Sequence, residues 1–166
     1  AAWDFDSANG VKGASLKDES FLNRSADPST SAFRAVEILL KGVEIELPEG
    51  EYFKDHNGHM RREIRVCWWE EIVGKTYRDI IFPGSEDITD ASISSGLGHL
   101  WAPYPKEESP VFFGHYWIPP GTVPGPVADN AACLDYSVAS SGGSLTAYRW
   151  DGECKLSADK FVQVEA

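Results

Sequence analysis

The spacing of apolar positions changes near residue 43, dividing the chain into a helical stretch and a region of short strands. In DPSTSAFRAVEILLKG, Phe33, Val36, Leu39 and Leu40 recur at three- and four-residue intervals, which predicts an amphipathic helix docked on a sheet. Asp27, Ser29 or Ser31 is expected to cap its start and Gly42 to end it, with Glu37 and Lys41 as a supporting ion pair. Residues 1–28 are polar and broken by Gly10, Gly13 and Pro28, so loop or short turns are expected there. From Val43 the period becomes two: VEIEL alternates apolar and acidic residues, and Asn57-Gly58 sits between extended flanks, predicting a hairpin turn with positive φ. In EIRVCWW, Ile64, Val66 and Trp68 share one face, and Arg65 and Cys67 the other. Residues 70–83 read as a short helix and a loop ended by Pro83, and 84–110 as a long surface connection.

In the last third, VFF reads as a short buried strand and IPPGTVPGPVADN as a loop. AACLDYSVA reads as a second strand, SSGGS as a tight turn into SLTAYRW, and KFVQV as the closing strand. Sequential strands joined by short turns pair antiparallel, so residues 110–166 are expected to form a meander, with GHYW at the end of its first strand. The expected class is α+β or α/β, in a single domain over 1–166.

Composition narrows the partners. The 166 residues are 42% hydrophobic and 12% aromatic, enough for a core. Fifteen basic against 26 acidic side chains leave a net charge of -11, which disfavours phosphate backbones and anionic bilayers, so neither nucleic acid nor membrane is an expected partner. No apolar run is long enough to span a bilayer. Cys67, Cys133 and Cys154 are odd in number and never spaced as CxxC, which argues for a reducing cytoplasm. The opening AAWDFD carries neither Met nor a signal-like segment, and the N-terminus is expected to be cut from something longer.

His115, after an apolar strand and Gly114, is the leading candidate for chemistry. A rigid strand followed by glycine can present an imidazole to a metal, though by residue type alone a single histidine there is more often a satisfied boundary residue. His56 and His59 flank the proposed turn and read as decoration of a solvated hairpin, and His99 has no ligand company nearby in sequence. Ser137 lacks a nucleophile elbow, Cys133 reads as a small hydrophobe, and SSGGS lacks the Lys-Ser/Thr of a phosphate loop. Trp68, Trp117 and Trp150 are expected in the core or at its edge.

The stretch PVFFGHYW, followed by NAACLDYSVASSGGSLTAYRWDGE and a closing FV, resembles the C-terminal end of bacterial calcineurin-like metallophosphoesterases, the superfamily of serine/threonine phosphatases and diadenosine tetraphosphatases. AVEILLKGVEIELPEGEYFKDHNGHMRREIRVCWW is similar to an insert of one bacterial branch, so the resemblance covers the chain from about residue 32, with 32–83 as helix-plus-hairpin insert and 110–166 as C-terminal meander. It implies part of a four-layer β-sandwich flanked by helices and a two-metal site at strand ends, using divalent Mn2+, Fe2+ or Zn2+ to hydrolyse a phosphate ester through a metal-activated water. The resemblance makes His115 a metal ligand, and Gly114, Asp135, Gly142 and Gly143 structural residues near the site, Asp135 by hydrogen bonding. Tyr116 and Trp117 would line the site mouth or pack at a loop base, and Lys41, Glu44 and Arg61 to Arg65 would form a selective lid or an ordinary solvated surface. The family's Asp-x-His, Gly-Asp and Gly-Asn-His-Glu motifs do not occur here. The expected protein is therefore an incomplete C-terminal portion, inactive alone, weak or absent in metal binding, and self-associating through surface exposed by truncation. The alternative is a non-catalytic acidic β-rich binding module.

Overall fold

The computed structural model describes residues 18–55, 58–85, 87–93 and 103–165. Helix α1 (Glu19–Ser25) begins at Asp18, whose Oδ1 accepts the Ser20 N–H at 3.0 Å. It lies inside the stretch expected to be loop; its single fully buried side chain, Phe21, is too sparse a signal for periodicity to detect. Helix α2 (Ser31–Lys41) is capped by Thr30 rather than by Asp27, Ser29 or Ser31, because Thr30 Oγ1 accepts the Phe33 N–H at 3.1 Å. Gly42, at φ 88°, ends it and donates to Ile38 O at 2.9 Å, and Lys41 pairs with Glu37. The buried face differs from the expected one. Ala32 and Ala35 turn inward as α2 packs on α1, while Leu39 and Leu40 stay exposed, so the helix docks on a helix through small side chains that permit close approach.

Strands β1 (Glu44–Glu46), β2 (Phe53–Lys54), β3 (Met60–Arg61) and β4 (Glu63–Arg65) form one kinked ribbon, with β1 antiparallel to β4 and β2 antiparallel to β3. Gly58 adopts φ 80° in the turn between β2 and β3; Asn57 lies outside the described residues. Ile45 and Ile64 are register partners pointing into the core, and Glu44, Glu46, Glu63 and Arg65 occupy the other face, as alternation predicts. The alternation fails beyond Arg65. Cys67 and Trp69 are buried along with Val66 and Trp68, since the chain leaves the ribbon there and is held by a Val66–Ile81 bridge and a Cys67 N–H to Ile80 O bond of 2.7 Å. Helix α3 (Tyr77–Ile80) follows, closed by a Thr76–Asp79 capping box. The connection after it is not all surface: Ile88 is buried in the core, and residues 94–102 lie outside the described set.

Strand β5 (Val111–Phe113) runs parallel to β6 (Ala131–Cys133), whereas β7 (Asp135–Tyr136), β8 (Ser144–Tyr148) and β9 (Phe161–Glu165) form an antiparallel sheet in that order. The expected meander is thus confined to β7–β9, and the chain from 114 to 130 is long enough to cross between parallel partners. AACLDYSVA is two strands instead of one: Leu134 N–H still bonds Phe113 O at 2.8 Å, but Asp135 turns to β8, and Ser137, at φ 55°, ends the segment. Gly143 has no room for a side chain, as an added Cβ would lie 1.9 Å from Ser137 O. Buried Asn130 fastens the 105–108 turn to the start of β6 by donating to Pro105 O and Glu108 O.

One core joins all of this. Trp68, Trp69, Phe82, Phe113 and Tyr116 stack edge-on or tilted at centroid distances of 5.1–6.2 Å, uniting the ribbon with β5. The coarse class is mixed α+β, with small, mostly antiparallel sheets and few helices among the described residues. None of these helices is long and apolar enough to cross a membrane.

Tyr116 reaches so close to Gly42 that a Cβ there would meet its Oη at 2.0 Å. Gly42→Ala therefore combines left-handed strain with overpacking and should cost about 2–4 kcal/mol in urea unfolding. Adding Tyr116→Phe should recover part of that loss, a non-additivity that two independent sites would not show.

Candidate functional site

His115 lies two residues past the end of β5, after Gly114, at the carboxyl end of the parallel pair, and its backbone is left-handed at φ 67°. The expected sharp turn at Gly114 is displaced: the positive φ values belong to His115 and to Trp117 at 52°. Such conformations cost about 1–3 kcal/mol each in non-glycine residues and persist only where the surroundings over-determine them. Asp135 does so here. Its Oδ2 accepts the His115 N–H at 3.0 Å, its Oδ1 accepts the Ser137 N–H at 3.2 Å, and its backbone oxygen accepts the Ile118 N–H at 2.9 Å. Ser137 returns the tie by donating Oγ to Ile118 O at 2.8 Å.

Arg65 closes the arrangement from the ribbon. Its Nη1 donates to His115 O at 2.6 Å, and its guanidinium carbon lies 6.0 Å from the Tyr116 ring centroid. Its Nε lies 3.1 Å from Glu44 Oε1, an ion pair too misaligned to count as a hydrogen bond. The His115 imidazole titrates below the ordinary value of 6.5, first through desolvation and then through repulsion by Arg65 and Lys41; Asp135 and Glu44 act in the opposite sense. The ring is therefore predominantly neutral at pH 7, the form in which imidazole can ligate a metal.

This corner opens into a groove of about 910 Å³ between the outer face of the ribbon and the segments around Phe82–Ser85 and His115–Pro119. Lys54, Arg61, Arg62 and Arg65 stand in it beside Glu44, Glu46, Asp55 and Glu63. Trp117, 44% exposed, forms part of its wall. Tyr116 does not reach its mouth: at 2% exposure it is a core residue, with its hydroxyl donating to Val66 O at 3.2 Å and burial raising its pKa. Of the two expectations for this residue, packing at a loop base is the one observed. Gly142, at φ 76°, and Gly143 form the turn leading into β8 and do not line this groove.

Other candidates fall elsewhere. His56 and His99 lie outside the described residues, while His59 is exposed with Nδ1 3.6 Å from Asp55 Oδ1. Burial pushes the Cys67 and Cys133 thiols up to about 12 and about 11, which leaves them protonated and inert. Trp150 is exposed instead of packed, with its indole N–H donating to Glu153 O. Among the described residues no group of three or more His, Cys, Asp or Glu side chains gathers where a metal ion could be held. Two features escaped sequence reasoning: the left-handed trio His115, Trp117 and Ser137, which no residue type announces, and the specific reach of Arg65 to a partner 50 positions away.

No family model, curated protein or solved structure matches the chain. The fold and site define a mixed α+β protein in which a histidine-ended strand opens onto a groove of mixed charge.

The charge environment of His115 makes opposite predictions for two neighbours. Arg65→Met should raise the imidazole pKa without restoring it to 6.5, since desolvation is the larger cause, and Asp135→Ala should lower it further, both read by NMR titration of the ring proton. In the unaltered chain the depressed pKa means that the unfolded state binds the proton more readily. This group's contribution to stability should therefore fall as pH drops from the unfolded value near 6.5 through the lower folded one.

Proposed function

We propose that the chain is the C-terminal portion of a metal-dependent phosphoester hydrolase of the calcineurin-like kind, in which His115 is one metal ligand. The observation that carries this reading is the His115 corner itself: a neutral imidazole at the end of a parallel strand, its backbone fixed from opposite sides by Asp135 and Arg65. The resemblance of PVFFGHYW and the following strands to the last motif of that superfamily supports it further, as does the mixed α+β class.

The described residues do not make a complete two-metal centre. His115 brings one imidazole, and both Asp135 carboxylate oxygens already accept backbone N–H groups. A binuclear centre needs several carboxylate, imidazole and amide donors around ions about 4 Å apart, so further ligands must come from other residues. This chain's own contribution would be to hold His115 in place and to present the groove beside it. A second reading, a non-catalytic acidic β-rich binding module, is favoured by that groove, in which Lys54, Arg62, Glu46 and Glu63 have no ion-pair partner among the described residues and no evident role in hydrolysis.

Manganese titration followed by NMR line broadening tests the ligand assignment. Mn2+ should broaden the amide signals of Gly114, His115 and Asp135 with weak affinity, His115→Ala should abolish that broadening, and p-nitrophenyl phosphate should not be turned over. The reading frame upstream of Ala1 should encode the missing Asp-x-His, Gly-Asp and Gly-Asn-His-Glu motifs. Broadening that spares residues 114–115 would remove His115 from the metal, and turnover by this chain alone would show a complete centre, contrary to the proposal.

A further inference from the structure

The groove carries more information than its histidine corner. Arg61 is paired with Asp55 at 2.9 Å and Arg65 with Glu44, so those cations serve the ribbon itself. Lys54 and Arg62 are exposed, and their side chains have neither ion-pair nor hydrogen-bond partners among the described residues. Glu46 and Glu63 are equally unpaired, and they face each other directly in the β1–β4 register. Like charges opposite one another on a two-stranded ribbon are unfavourable, and a cation from outside would relieve them. The lining also includes two large apolar side chains with exposed surface, Met60 at 51% and Trp117 at 44%. β2 and β3 pair only with each other among the described residues, which leaves the outer edge of each strand open to added main chain.

We infer that this groove is a docking surface for an extended polypeptide segment that carries charges of both signs. Acidic side chains of that segment meet Lys54 and Arg62, basic ones meet the Glu46–Glu63 pair, and apolar ones rest on Met60 and Trp117. A small ligand of one charge sign fits less well, because it would set either the carboxylates or the cations of the same groove against it.

The test is a selection from a randomised dodecapeptide display library against the full chain, followed by fluorescence anisotropy of the recovered peptides. Recovered peptides should combine acidic and basic residues, and their affinity should fall about tenfold or more in Lys54→Glu with Arg62→Glu, and again in Glu46→Lys with Glu63→Lys. These positions are exposed, and circular dichroism verifies that each variant keeps its fold. Three outcomes overturn the inference: no peptide recovered above bare support, peptides insensitive to both charge reversals, or complete displacement by ATP, which would make the occupant a small polyphosphate.

Discussion

The contact between Tyr116 and Gly42 is the constraint on which the rest of the structure depends. The ring is wedged among Trp69, Phe82 and Phe113, and its hydroxyl reaches the carbonyl of Val66 beside the end of α2. Only glycine, with no Cβ, leaves space for that hydroxyl, so the residue that ends the helix also admits the side chain locking the helical region to the strands. The regions 32–83 and 110–166, which a reading by segment treats as separable units, share this one core. A burial as complete as that of Tyr116 also holds its neighbours, because a wedged ring fixes the chain on both sides of itself.

That fixation is visible one residue away. His115 and Trp117, flanking the wedge, both take left-handed conformations, which pulls the backbone out of the strand path and brings the imidazole to the groove. Asp135 and Arg65 then hold the same residue through its N–H and its carbonyl. An acid on β7 and a base on β4 thus grip one residue from two sheets, through the peptide groups on either side of its Cα, and the strain of the left-handed turn is met by hydrogen bonds to charged groups, stronger than neutral ones.

Legibility in the sequence followed the range of the interaction that decides each feature. The ribbon could be read because Ile45 and Ile64 obey a period of two over a few residues, and the helix end because Gly42 acts within its own turn. The β7–β9 meander was legible from the Gly-rich turn between β7 and β8 and from the apolar run of β9. Helix α1 was not, since Phe21 alone commits it to the core, nor was the parallel pairing of β5 and β6, which rests on a crossover with no periodic signal of its own. His115 was legible as a candidate from residue type and position. Its left-handed backbone, the burial of Tyr116 and the exposure of Trp117 were not, because all three follow from contacts made far along the chain, such as Arg65 to His115.

The two ends of the groove differ in how their walls are held. Around His115 every wall is anchored: Ser137, Ile118 and Asp135 bond one another, and Tyr116 seals the floor. Such anchoring suits a group that must hold a fixed position for chemistry. Around Lys54 and Met60 the wall is a hairpin of two-residue strands that pair only with each other among the described residues, where Arg61 is held by Asp55 while Lys54 and Arg62 have no ion-pair partner among those residues. Exposed ion pairs contribute little to stability, so the absence of partners for Lys54 and Arg62 among the described residues costs the fold almost nothing, even in a chain whose net charge is -11 and where carboxylates are plentiful. What their placement does change is the field felt by an approaching partner. On the two proposals, recognition would fall to the ribbon end and metal ligation to the histidine end.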